Sequence, residues 1–380
     1  MYQLSDYTFD LPKEKIAHKA RHPAHDGLVM VIDKKTGKKE ADTTFWNLDK
    51  WLTPEHTLFF NNSKVIRARV PLENIKYTTP LQEQKRLKEG EIFFLKDTGN
   101  NTFEALVRPG KKIKVGSRFF VGDYVLEIKD TSDVGRIIEI HPGNIDHFLE
   151  TYGNLPLPPY IEYSREKEKD YQSIFAKKDG SVAAPTASLH FTDALMGKLP
   201  CRTKNITLHI GLGTFQTINT NDIREYKIHS ETASIPYSLF EYIFEEKKAG
   251  HPLLAVGTTV CRTLESLPAL WRHMSPDFKS KLSHESQQYW DAQSQTSDPK
   301  WIENVSEQEN EIQFSTRAYI FPGYQWKIVD EVVSNFHLPE SSLLLLISSL
   351  IGRENLLERY REAIAGAYMF YSFGDGMYIH

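Results

Sequence analysis

The chain changes character twice along its length, and that pattern restricts its folds more than any other feature. "LVMVID" (residues 28–33) reads as a strand and "FWNLDKWL" as a short helix ended by Thr53-Pro54. "HTLFFNNSKVIRARV" reads as a strand, a polar turn and a second strand. Then come short runs rich in aromatic and β-branched residues: "EIFFLK", "TFEALVR", "RFFV", "YVLEIKD" and "GRIIEIH". Gly-containing turns separate them, and "VGDY" suits a two-residue hairpin, so this part predicts a small antiparallel barrel or sandwich. Beyond it the pattern alternates. Strand-like "NITLHIGLG" and "PLLAVGTT" interleave with helical "YSLFEYIFEEKKAG", stopped by Gly250, and "CRTLESLPALW". Such alternation is the α/β signature. The β-rich part is contiguous, so the α/β unit must be assembled from both sides of it. The expected fold is a layered α/β sandwich domain (1–69 and 150–380) with an inserted antiparallel β-barrel (70–149). Residues 275–313 are polar and rich in Ser, Gln and Glu, which predicts a long surface excursion. "AYIFPGY" predicts a further strand, and "PESSLLLLISSLIG" and "ENLLERYREAIAGAY" predict two closing helices.

A chain of 380 residues can bury a sizeable core and accommodate two domains. Two cysteines give neither a disulfide framework nor a Cys-based zinc site, and they suit reducing cytosol. The first residues are too polar for a signal peptide, and the apolar run "LLLLISSLIG" is too short to span a bilayer. The expectation is a cytoplasmic protein without a membrane partner. A formal charge of −4 does not announce a nucleic-acid partner, which would need a local basic face. "VRPGKKIKVGSR" supplies one candidate, with Arg108, Lys111 and Lys112 in a turn of the β insert. It reads equally as a phosphate-tracking turn or a solubilising loop.

Candidate chemistry gathers at loops that enter helices. In "SVAAPTASLHF" Pro185 pushes Ala184 towards an extended conformation, and Thr192 is placed to cap the helix "FTDALMGKL". The loop between them presents Thr186, Ser188 and His190 among small side chains. "AVGTTVCRTLES" runs a strand through Gly257, Thr258 and Thr259 into a helix, which makes either an anion site or an ordinary capped turn. Arg262 in its first turn opposes the helix dipole, which favours pairing with an acidic group. "IHSET" sets His229 and Glu231 two apart, an acid–base pair or, preferably, a surface ion pair. "HIGLGTF" lacks the third glycine of a dinucleotide fingerprint, so its glycines suit close backbone approach. Asn335 and His337 precede Leu338-Pro339, and Asp375 sits between two glycines, where an acid is usually a turn former. No metal-ligand spacing is present.

The order of these segments is more telling than any one of them. "LSDYTFDLP", "FFNNSKVIRAR", "LVRPGKK", "LPLPPYI", "GSVAAPTASLHFT", "TLHIGLGTFQ", "AVGTTVCRTLES", "YIFPGY", "VVSNFHLPESSLLLL" and "YSFGDGMYI" follow one another from the first residues to the last. In this the chain resembles the S-adenosylmethionine:tRNA ribosyltransferase-isomerase family of queuosine biosynthesis. The resemblance implies transfer of the ribosyl group of S-adenosylmethionine onto 7-aminomethyl-7-deazaguanine in the tRNA anticodon. The ribose rearranges to an epoxycyclopentane, giving epoxyqueuosine, while adenine and methionine leave. It implies no separate cofactor, because S-adenosylmethionine is consumed, and tRNA as the partner; a monomer is expected, although the sequence does not reveal the oligomeric state. The chemistry needs a base at C5′, surroundings for a sulfonium, and donors for the methionine carboxylate. The residues expected to serve it are His190 as acid/base, with Thr186 and Asp375 as its catalytic companions. Arg69, Thr258, Thr259, Arg262, Asn335 and His337 are expected to bind substrate, and Arg108, Lys111 and Lys112 to bind tRNA.

Four departures from the family pattern leave an alternative open. An Arg usually found before the first hydrophobic strand is absent from "HDGLVMVI", the usual Gly-Gly-Lys start to a barrel strand is replaced by "TTPLQEQKRLKEGEIFFL", "GTTSVR" has become "GTTVCR" with a hydroxyl lost at Val260, and "AGLHF" is "ASLHF". The alternative is a diverged paralogue that binds RNA without turnover or uses another acceptor.

Overall fold

In a computed structural model of the chain, residues 2–211, 213 and 218–380 are described. Among them the strands form three sheets. The largest has ten strands. Its centre runs Arg202–Leu208, Thr57–Asn61, Leu253–Val256 and Glu331–Asn335, all parallel, and then Gly376–Ile379 antiparallel, Leu28–Ile32 parallel to that, and Lys39–Thr44 at the edge. On the other side Glu231–Pro236, Glu311–Thr316 and Ile302–Glu307 extend it antiparallel. Alternation along each strand divides the side chains between two cores. Met30, Ile32, Phe59, Leu253 and Ala255 face one, which the helices Leu239–Ala249, Thr258–Trp271, Ser342–Ile351 and Arg353–Ala365 cover. Val29, Val31, Leu58, Phe60, Leu254 and Val256 face the other, closed by Phe45, Phe191 and Leu195. This is a layered α/β sandwich, and its strands Thr57–Asn61 and Leu253–Val256 are buried along their whole length because both faces are covered.

Residues between Arg69 and His141 form the second sheet, eight antiparallel strands curled as a half-barrel. It has its own core, including Val70, Phe93, Phe119 and Ile138, sealed by Phe148 and Leu149 of the helix Ile145–Tyr152. The hairpin at Gly122-Asp123 forms as its sequence predicts, with Val121 opposite Tyr124. The third sheet is the short parallel pair Ser63–Val65 and Lys178–Ser181 at the junction with the large sheet.

Two expectations are corrected. Residues 275–313 are not a loose excursion. They fold as Pro276–Lys279, the helix His284–Gln295 and the hairpin that ends the large sheet. Ser275 and Ser283 cap the two helices. A few apolar residues anchor the segment: Phe278, Leu282 and fully buried Trp290, whose Nε1–H donates to the Phe240 carbonyl at 3.1 Å. Polar residues dominate the composition because only one side of the segment faces the core. "AYIFPGY" forms no strand; Ala318 and Ile320 are buried, but Pro322 and Gly323, at φ 104°, turn the chain there.

Candidate active site

A cavity of about 130 Å³ opens at the carboxyl ends of the parallel strands Leu253–Val256 and Glu331–Asn335, where ligand sites of α/β sheets concentrate. Three segments distant in sequence meet there. "APTASLH" forms a 3-10 turn over Thr186–His190 rather than an open loop, and Thr192 caps the helix Asp193–Lys198 through the Leu195 N–H. Gly257 lets the second segment turn from strand into helix at φ 95°, which an L side chain rarely adopts. Thr258 and Thr259 follow at the helix N-terminus, where backbone N–H groups lack intrahelical partners. The third is "SNFHLP", leaving its strand at Asn335.

Thr186, Thr258, Thr259, Asn335 and His337 all line this cavity. Thr186 Oγ1–H donates to Asn335 Oδ1 at 2.9 Å. The Asn335 Nδ2 lies 3.4 Å from the Gly374 carbonyl, which can only accept, and this fixes the amide orientation. The same nitrogen faces His190 Nε2 at 3.4 Å, so Nε2 accepts and His190 Nδ1–H donates to the Ala24 carbonyl at 3.2 Å. The hydroxyl proton of Thr186 is thus committed, and its lone pairs are left for a ligand. His337 shares 2.8 Å with Ser334 Oγ through Nε2, and burial pushes its imidazole down to about 3. Its Nδ1 has no partner among the described residues. Asn61, the last residue of the strand Thr57–Asn61, bonds both backbone groups of Leu208 and lies 3.5 Å from Thr259 Oγ1, bracing that wall.

Other expected site residues lie elsewhere. His190 is outside the cavity lining and stacked on Phe45, with ring centroids 4.0 Å apart. Burial pushes its imidazole below 6.5. Both ring nitrogens are engaged, so it positions Asn335 rather than exchanging protons with a ligand in the cavity. Asp375 is fully buried behind the site. Its carboxylate accepts from Leu28 N–H and Met369 N–H, each at 2.7 Å, and from Arg21 at 3.2 Å. It therefore staples chain segments together and is not placed for catalysis. Arg262 does not reach the cavity; its guanidinium pairs with buried Glu231 and donates to the Ala318 carbonyl. Glu231 is accordingly no surface residue. Arg69 lies on the half-barrel edge near Glu91, its guanidinium 5.3 Å from the Phe93 ring centroid. Arg108, Lys111 and Lys112 are exposed in the turn after Thr102–Arg108, with Arg108 3.4 Å from Glu91. Leu212 and Thr214–Phe215 of "HIGLGTF" fall outside the described residues.

The sequence departures also acquire places. Val260 is fully buried in the main core, so its lost hydroxyl removes nothing from the cavity. A Cβ at Gly27 would meet His190 Nδ1 at 2.7 Å, so a larger residue there would displace that ring. Residue reasoning missed the aromatic pair Tyr160 and Tyr371 in the lining. Its signal was the pairing of "LPLPPY" with "MFYSF", which nothing in either segment alone reveals. Among the described residues no cluster of three or more His, Cys, Asp or Glu is placed to hold a metal, and no helix is long and apolar enough to cross a membrane.

The family model described as queuosine biosynthesis protein matches residues 4–379. A protein of Clostridioides difficile (strain 630) named S-adenosylmethionine:tRNA ribosyltransferase-isomerase is 37% identical over 381 residues, covering 98% of each chain. One of the same name from Halothermothrix orenii is 36% identical over 384 residues, covering 99% of each. Among solved structures, the S-adenosylmethionine tRNA ribosyltransferase of Thermotoga maritima covers 99% of this chain and 100% of its own, at 26% identity and a TM-score of 0.49.

Proposed function

Because the chain belongs to the queuosine biosynthesis family of S-adenosylmethionine:tRNA ribosyltransferase-isomerases, we propose that the cavity at its strand ends holds the reacting part of S-adenosylmethionine. The enzyme transfers and isomerises the ribosyl group of that substrate onto tRNA. The observation that carries the assignment is the convergence of Thr186, Thr258, Thr259, Asn335 and His337 on one cavity. About 130 Å³ suits the ribose and sulfonium, with the rest of the substrate extending outward.

The reaction removes a proton from C5′ beside the sulfonium and breaks the bonds to adenine and methionine. Thr186 Oγ1, its proton held by Asn335, accepts from a ribose hydroxyl and orients the sugar. The free N–H groups at Thr258 and Thr259 receive the methionine carboxylate, as a helix N-terminus favours an anion. His337 replaces His190 as the imidazole nearest the chemistry. It is neutral at physiological pH, so it adds no charge to oppose the sulfonium. The acceptor is 7-aminomethyl-7-deazaguanine in the anticodon, and Arg108, Lys111 and Lys112 track the tRNA backbone. The protein works as a cytoplasmic monomer.

Adenine release from S-adenosylmethionine, followed with and without tRNA carrying that base, tests the reading. Release that depends on the modified tRNA, and falls roughly 10–100-fold in Thr186→Val, is expected. Tight tRNA binding without adenine release would instead establish the RNA-binding alternative.

A further inference from the structure

Among the described residues, the lining of the cavity contains no Asp, Glu, Lys or Arg, yet the substrate assigned to it carries a permanent positive charge. The half-buried Tyr160 and Tyr371 line that wall instead, whereas the Phe336 ring is fully buried against Tyr360, Tyr368 and Phe370. Aromatic faces attract cations through the ring quadrupole. A carboxylate would hold the sulfonium more strongly, but it would also stabilise the charged ground state against the neutral ylide that forms when C5′ loses its proton. A π wall holds the cation with less damping of the acidity that the reaction needs.

Tyr371 is built into this wall at a conformational cost. Its φ is 76°, a left-handed backbone that bulky side chains rarely adopt. Both sides of the turn are tied. Tyr371 N–H donates to the Phe336 carbonyl at 3.2 Å, and Gly374 N–H donates to the Tyr371 carbonyl at 3.0 Å. The next residue, Ser372, is clamped by Tyr160, whose hydroxyl donates to Ser372 Oγ at 2.7 Å and accepts from Ser372 N–H at 2.9 Å. The clamp brings the Tyr160 and Tyr371 rings to 4.9 Å between centroids, tilted by 54°. Residues so placed are over-determined by their surroundings, and such strain collects at functional sites.

We propose that Tyr371, held against Tyr160, is a specificity determinant that recognises the sulfonium charge and selects S-adenosylmethionine over its neutral thioether analogue, S-adenosylhomocysteine. The proposal rests on the assignment of the cavity to S-adenosylmethionine. It concerns the ring and not the hydroxyl.

Calorimetric titration of the full chain with each compound separates the two ideas. Tyr371→Phe keeps the π face and retains the wild-type preference. Tyr371→Leu keeps apolar bulk without a π face, and its affinity for S-adenosylmethionine falls about tenfold while that for the thioether changes less than about twofold. Should Tyr371→Leu fail to fold by circular dichroism, Tyr160→Leu removes the other ring and must show the same selective loss. Equal losses for both compounds, or none, overturn the role of the aromatic pair. A wild-type protein that binds neither compound contradicts the assignment of the cavity itself.

Discussion

At the scale of single residues, the site is organised by one chain of hydrogen bonds from the Ala24 carbonyl through His190 and Asn335 to Thr186. Each member fixes the proton position of the next. Thr186→Val removes the last hydroxyl and leaves Asn335 Oδ1 without its donor, which costs about 1–3 kcal/mol where that group is buried. We expect kcat/KM to fall roughly 10–100-fold, measured by adenine release, because that cost applies at the ligand. The role of His190 is set by geometry. Since it acts through Asn335, His190→Gln should keep part of the activity and leave the shape of the pH–rate profile unchanged; loss of a profile limb would restore it as the acid/base group. Burial also makes the two imidazoles sensors of low pH. Both are depressed below 6.5 when folded, His337 to about 3. Above 6.5 folded and unfolded chains alike carry them neutral. Below it the unfolded chain takes up protons that the folded chain excludes, so stability is lost as pH falls from 6.5 towards 3. Urea midpoints at about pH 7.5 and about pH 5.5 should differ less in His337→Asn than in the wild type.

At the scale of elements, the helix Thr258–Trp271 connects the cavity to the core. Gly257 starts it, and Arg262, one turn on, is neutralised by Glu231. Gly257→Ala must hold an L residue near φ 95° with Ala187 Cβ 3.6 Å away. A loss of about 1–3 kcal/mol is expected in urea unfolding. Glu231→Ala leaves the Arg262 charge buried and should cost about 3–5 kcal/mol by the same measurement. Sequence reading and structure agree best where period and burial coincide. "LVMVID" and "LLAV" read as strands and are strands, because both their faces are covered. "HESQQYWDAQSQ" read as surface because its polar residues outnumber its anchors, and a single buried Trp290 carries much of its docking. Composition averages over a segment, whereas packing depends on the one side that faces the core. Trp290→Ala should therefore cost about 3–5 kcal/mol, a loss that an unattached segment would not show.

At the scale of the whole molecule, the half-barrel sits between the two parts of the chain that build the sandwich, and it presents a basic turn on a chain of net charge −4. Reversing Lys111 and Lys112 to Glu should weaken tRNA binding and reduce the salt slope by about one per lost phosphate contact. An unchanged slope moves the RNA surface elsewhere. The interrupted architecture was legible from the change in periodicity, and so were the cavity residues that lie in loops before helices. What stayed hidden was pairing across long separations. Nothing local shows that Glu231 neutralises Arg262, that Asp375 staples Leu28 to Met369, or that Tyr160 fixes the turn bearing Tyr371. The most direct measurement is a single-turnover incubation with S-adenosylmethionine and tRNA carrying 7-aminomethyl-7-deazaguanine, followed by mass spectrometry of the nucleosides. Epoxyqueuosine in the digest, with adenine and methionine released in equal amounts, is the predicted result. Unmodified acceptor base recovered from tRNA that had bound the protein would contradict it.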